Sequence, residues 1–488
     1  MSHHRSLRRE FLRRASVLSG TMGAAGVPFA LNLAAMNAAV AQAVDYKAVV
    51  CLFMYGGNDA ANLVLPTDSA SWSAYTSVRT QAPDPIALLA PGTPADSTAA
   101  AASPAALGGV LAIVPKFSVF AENSTRTFAL HPAMPDVKSL FDQGRLAVLA
   151  NAGPLVQPLT KAQYQNGSAP KPAKLFSHND QQSTWQALGP EGTRVGWGGR
   201  LGDLVAGGNA QTIFTNISVS GNAVFMSGQN VFQYQVGTGG AVTIGGLTGS
   251  LFGSTVAATN FRSIITADNQ NLFAREHAVV VKRSIDAQAL FQTAFNASTV
   301  AAPTPYFNPA TRANANNALA TQLQTVARII GARSGLGAQR QVFFVSMGGF
   351  DTHDGQNRSQ ADLLARLSHA LGYFDSVLGT LGLRDKVTLF TASDFGRTLT
   401  SNGDGTDHGW GGHHFVYGGA VKGSEIYGRF PTVGLNHADE VGSGSFLPAM
   451  SVDQIGGTIG KWFGVSDSDL DLVFPNLKNF QRDLGFLG

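Results

Sequence analysis

YKAVVCLFMYGGND, residues 46 to 59, is a continuous apolar, β-branched run that stops at two glycines, an asparagine and an aspartate. A run of that length without polar alternation fits a strand buried on both faces of a parallel sheet. RLAVLANAG (145–153), QVFFVSMGG (341–349) and KVTLFTASD (386–394) repeat the design, and each ends in Gly, Asn, Asp or Ser. Between them lie HPAMPDVKSLFDQG (131–144), NANNALATQLQTVARIIGAR (314–333) and QADLLARLSHALGYFDSVLGTLG (360–382), the last two with apolar residues at helical spacing. Strands alternating with helices predict an α/β fold, a doubly wound, mostly parallel sheet with helices on both faces. Ligands of such sheets sit outside the carboxyl ends of the strands, so the polar endings are where chemistry is expected.

Two stretches depart from the alternation. Residues 67–125 are rich in Ala, Pro, Ser and Thr and read as a long excursion or lid. Residues 207–260 alternate short β-prone runs with Gly, Asn and Ser, which predicts a small β-rich insert that serves as a flap or binds a partner.

The first 43 residues carry paired arginines Arg8 and Arg9, then Phe11 and Leu12, a weakly apolar run broken by Pro28, and Ala41-Gln42-Ala43. That layout predicts a twin-arginine export signal, the translocase as a transient partner, and a mature domain over 44–488 in the periplasm or outside the cell. The formal charge of +3 comes from the signal, which holds five arginines and one acid; the mature chain is near −1. With no later Lys/Arg run, the charge gives no support to a nucleic-acid partner. No other segment is long and apolar enough to span a bilayer. The single cysteine, Cys51, cannot form an internal disulfide.

Charged residues make up only 13% of the chain, so their concentration in glycine-rich loops stands out. Asp59, just past the first strand, is placed to ligate an ion or to cap the next helix. In LFSHNDQQSTWQ (175–186), Ser177 either caps a helix or offers its hydroxyl to an anion, and His178 is a candidate ligand or acid-base group. GGFDTHDGQ (348–356) offers Asp351 and His353 directly after a strand, a mixed oxygen and nitrogen set suited to zinc, manganese or iron. SDFGRTLTSNGDGTDHGWGGHH (393–414) adds Asp394, Arg397 as an anion clamp, and Asp407, His408, His413 and His414, some of them bystanders. An aspartate beside a ligating histidine can also orient it from behind.

LFMYGGNDAANLVLP, FSHNDQQSTW, GGFDTHDGQ, SDFGRT and GTDHGWGGHHFVYGGAVKG together resemble the bacterial domain of unknown function 1501 family over nearly the whole mature chain. That family looks like a distant branch of the alkaline phosphatase and sulfatase superfamily. The resemblance implies a site of one or two divalent metals, zinc, manganese, calcium or iron, with Asp59, Asp351, His353, Asp394 and His408 as ligands, His414 in reserve and Ser177 as nucleophile. Two departures stand out: Phe395 follows Asp394 where the phosphatases carry histidine, and an Asp-x-x-x-His spacing is shortened to Asp351-Thr352-His353. Cys51 is followed by LFMYG, which is not a formylglycine motif.

The expected function is an exported metal-dependent hydrolase of phosphate or related esters, acting on a small or glycan-linked anionic ester through activated water or Ser177. Arg397 would neutralise charge that develops in the transition state. The alternative is a non-catalytic exported protein that binds envelope glycans or a partner through the β-rich insert.

Overall fold

A computed structural model describes residues 46–488 except Thr248; the expected export signal lies outside the described residues. Among the described residues the centre is a ten-stranded sheet. In chain order its strands are β1 (Lys47–Met54), β2 (Leu146–Gly153), β3 (Asn216–Ser218), β4 (Tyr234–Gly237), β5 (Gly240–Ala241), β6 (Arg340–Met347), β7 (Val387–Ser393), β8 (Gly412–Tyr417), β9 (Ile426–Tyr427) and β10 (Met450–Ser451). They lie in the order β9-β2-β8-β7-β1-β6-β3-β4-β5, and β10 also pairs with β2. β1 runs parallel to both neighbours, with Val49 opposite Val342 and Thr388. Only β8, between β7 and β2, and β5 at the edge pair antiparallel.

Period-two alternation sends the side chains of β1 to two cores. Val50 and Leu52 pack on one face with Val137 of α1 (Pro135–Asp142), Leu323 of α2 (Ala318–Gly331) and Leu367 of α3 (Gln356–Thr380). Cys51 and Phe53 pack on the other with Trp185 of the helix His178–Ala187, Trp197 of Trp197–Val205 and Ile455 of Val452–Phe463. Each such side chain, fully buried, contributes roughly 1.5–3 kcal/mol, so the absence of polar alternation in β1 is the signature of a strand covered twice. Local signals set the helix starts: Pro135 opens α1, and the Asn317 side chain accepts from the backbone of Leu319 and Ala320 at the head of α2.

Within residues 67–125 a helix (Ser69–Ser77) and a strand (Leu111–Ile113) are ordered, and that strand joins Val64–Pro66 and Phe128–Leu130 in a three-stranded sheet. Residues 207–260 supply β3, β4 and β5, which extend the central sheet rather than stand apart from it. Beyond them a 26-residue helix, Leu272–Ala297, buries Phe291 and Phe295 near its end, while Leu272, Phe273, Val279 and Val280 are exposed. No helix among the described residues is long and apolar enough to cross a membrane.

Candidate metal centre

The carboxyl ends of β6, β1 and β7 lie side by side, and their loops meet there. Gly56, at φ +116°, and Gly57, at φ +84°, make that meeting possible. A Cβ on Gly56 would lie 2.3 Å from the Asp351 nitrogen, and one on Gly57 would lie 2.4 Å from the Phe395 ring. The backbone after β6 is thus drawn onto the end of β1, where Phe350 N–H donates to the Tyr55 carbonyl at 3.1 Å. The glycines serve this backbone approach, and Asp351 is delivered to the sheet edge by it. His408 arrives on a short strand, Thr406–His408, paired antiparallel to Arg397–Ser401 with Arg397 opposite His408. His178 is the first residue of the helix His178–Ala187.

Four side chains converge. His353 Nε2 lies 3.0 Å from His408 Nε2 and 3.1 Å from Asp351 Oδ1; His408 Nε2 is 3.5 Å from that same oxygen. His178 Nε2 lies 3.4 Å from Asp351 Oδ2. One ligand atom each from His178, Asp351 and His408 all fall within 4.8 Å of one another. Every imidazole is gripped by its other nitrogen: His178 Nδ1 by Asp394 Oδ2 at 2.7 Å, His353 Nδ1 by Asp407 Oδ1 at 3.2 Å, and His408 Nδ1 by the Phe176 carbonyl at 2.7 Å. Gln182 Nε2 donates to the same Asp394 oxygen at 2.8 Å.

A carbonyl can only accept, so His408 carries a proton on Nδ1, which leaves its Nε2 facing the cluster. His353 Nε2 and His408 Nε2 stand 3.0 Å apart, close enough to share a proton in a hydrogen bond or to take one cation together. Burial, with His178 and Arg397 nearby, holds the basicity of His408 below its ordinary range, which keeps its Nε2 lone pair available. Asp351 is kept charged: burial works against it, but the Arg397 hydrogen bond at 2.7 Å and its charge prevail and hold the carboxyl below the usual range. His178 is raised, first by its hydrogen bond to Asp394.

Several sequence expectations find different places. Asp59 is not at the cluster; both its oxygens are taken by the buried Arg79 guanidinium, and Gln356 adds a third bond. Its role is to hold the chain after β1 to the Arg397–Ser401 strand, because Arg79 also donates to the carbonyls of Thr398 and Leu399. Asp394 stands one bond behind the cluster and orients His178. Arg397 is buried and engaged with Asp351, Thr406 and the Gly56 carbonyl, so it braces a carboxylate instead of standing free for a substrate anion. Ser177 donates to Asp180 Oδ2 at 2.9 Å. His414 lies in the interior on β8, its ring 4.7 Å from that of Trp185, and burial pushes its pKa down to about 3. Phe395 packs between rings, 4.9 Å from His178 and 4.6 Å from His408. Sequence reasoning missed Gln182 and the Phe176 carbonyl, which no motif marks. It also missed Asn58, whose amide is buried with neither atom partnered in the protein; Asp394 Oδ1 is likewise unpartnered. Cys51 is 1% exposed in mid-strand, so its thiol belongs to the core.

The family model described as Protein of unknown function (DUF1501) matches residues 46–465. The chain belongs to that family. No curated protein matches it. Similar solved structures include Ps i-CgsB in complex with k-i-k-neocarrahexaose, 8% identical, covering 90% of this chain and 77% of that one, with a TM-score of 0.35. A Bacteroides thetaiotaomicron protein linked to metabolism of multiple glycosaminoglycans is 10% identical, covering 87% and 74%, at TM-score 0.31. The PsFucS1 sulfatase from Pseudoalteromonas sp. is 7% identical, covering 91% and 73%, at 0.27. At these scores the likeness carries no argument about the DUF1501 chain, whose site has to be read from its own residues.

Proposed function

We propose that the chain is an exported, metal-dependent hydrolase of phosphate or related esters, with a small or glycan-linked anionic ester as substrate. The observation that carries the reading is the approach of three imidazoles, each held at Nδ1, to the Asp351 carboxylate, with His178 and His408 the two whose ligand atoms cluster tightly with it. His178, Asp351, His353 and His408 would hold a divalent ion, and three nitrogens to one carboxylate suit zinc, manganese or iron better than calcium. Such an ion supplies Lewis acidity, polarising an ester oxygen and lowering the pKa of a water. The chain's residues orient it: Asp394 fixes the His178 tautomer, Asp407 that of His353, and Arg397 holds Asp351 charged. Ser177 remains a candidate nucleophile by its place beside His178, although its hydroxyl is turned to Asp180. Export through the twin-arginine translocase belongs to the same proposal and rests on Arg8, Arg9 and the Ala41-Gln42-Ala43 site.

The test is elemental metal content of the mature protein, purified without a histidine tag or chelator, beside the His408→Ala variant. Near-stoichiometric zinc, manganese or iron that is lost in the variant is the expected result, followed by turnover in a phosphoester and sulfoester screen. Full turnover in Ser177→Ala would assign the attack to water. If both proteins stay metal-free after incubation with these ions, the hydrolase reading falls. The chain then reads as a non-catalytic exported binding protein, which Phe395 favours by standing where the phosphatases carry a histidine.

A further inference from the structure

Where β10 pairs with the carboxyl end of β2, the chain encloses a cleft of about 550 Å³. That volume lies within the range of about 300–1,000 Å³ typical of small-molecule sites. None of the four converging residues of the metal centre lines it. Its walls carry Lys161, Arg429 and Lys478 against one carboxylate, Asp439. The four are not equally committed. Arg429 donates to Asp439 Oδ2 at 2.8 Å, and Lys161 is bound to Glu440 at 2.8 Å and to the His437 carbonyl at 3.0 Å. Lys478 is exposed and makes no ion pair among the described residues. An apolar wall faces these charges: Leu155 and Leu447 belong to a cluster with Trp410, against which Phe480 packs.

A cationic rim over an aliphatic and aromatic wall recognises a ligand with an apolar face and an acidic substituent. A pyranose ring offers C–H groups to the wall, and the side-chain oxygens of Asn479 and Gln481, whose amide nitrogens already donate to the Val156 and Asp483 carbonyls, can accept from its hydroxyls. We propose that this cleft binds an acidic sugar, with the acid group held by Lys478. The site goes beyond the metal-centre reading and does not rest on it.

Titration calorimetry of the full mature protein with glucose 6-sulfate, glucuronic acid, glucose and inorganic sulfate tests this. The expected result is saturable binding of at least one acidic sugar, about tenfold or more tighter than glucose and than sulfate. Which acid binds identifies the substituent. Lys478→Glu should lose at least about tenfold while Lys478→Arg keeps the affinity, and His408→Ala should bind as wild type. The proposal is overturned if no acidic sugar binds, if sulfate or glucose binds equally well, if Lys478→Glu changes nothing, or if His408→Ala abolishes binding.

Discussion

Asp394 receives the His178 and Gln182 bonds on one carboxylate oxygen, and its other oxygen is buried without a protein partner. Removing its charge while keeping its shape would therefore act on a bound ion through His178, which it orients. Asp394→Asn should weaken zinc or manganese affinity by about 10–100-fold, the usual effect of losing a residue that orients a ligand. Calorimetric titration of the metal-free variant checks this, with circular dichroism to show the fold intact; unchanged affinity would remove Asp394 from the site. At this scale the sequence was only half legible. Asp351, His353 and His408, singled out in the sequence by their polar, glycine-rich surroundings, do lie close together at the sheet edge. Asp394 lies at the expected edge, but its Oδ2 holds His178 Nδ1, and nothing in SDFGRT shows that a histidine from a distant helix meets it there.

Among the elements, the segment after β1 is tied to the Arg397–Ser401 strand by the Asp59–Arg79 pair, both side chains 0% exposed. Truncating one partner leaves the other charge buried and unpaired, which typically costs about 3–5 kcal/mol. Asp59→Ala should lose about that much stability in urea unfolding while the folded fraction binds metal with wild-type affinity; loss of affinity at full stability would restore Asp59 as a ligand. Four strands were legible as unbroken apolar runs, and they are β1, β2, β6 and β7. β8 was not: in GHHFVY two adjacent histidines hide the alternation, and the stretch reads as ligands before it reads as a strand. Pairing on β8 sends His413 against Phe430 and His414 against Trp185, so neither reaches the centre. The Gly/Asn-rich segment 207–260 suggested a separate layer because its strands are too short to declare which sheet they join.

Among the described residues, three histidines lie buried in the interior. Burial pushes His131, His413 and His414 down to about 3, against about 6.5 in an unfolded chain. Because the folded values are depressed, the unfolded chain binds the extra protons, and stability present above about pH 6.5 is lost as the pH falls toward 3. Asp453 opposes this: burial raises its carboxyl to about 6, so its contribution falls as pH rises between about 4 and 6. Near pH 5 the net over these four groups is about two protons, or between two and three kcal/mol per pH unit. Urea unfolding at pH 7.5 and 5 should show the loss, and an equal stability at both values would contradict the neutral assignment. His414→Phe should flatten the slope by about one proton.

The converging residues come from three stretches of chain, around 178, 351–353 and 408, that share no element of secondary structure. Anything that binds all of them at once works as a clasp, shutting long loops at a single point and favouring the closed chain in proportion to its concentration over its dissociation constant. Occupancy of the centre is therefore also a mechanical state of the sheet's carboxyl edge, one that a chelator would loosen without touching a single covalent bond.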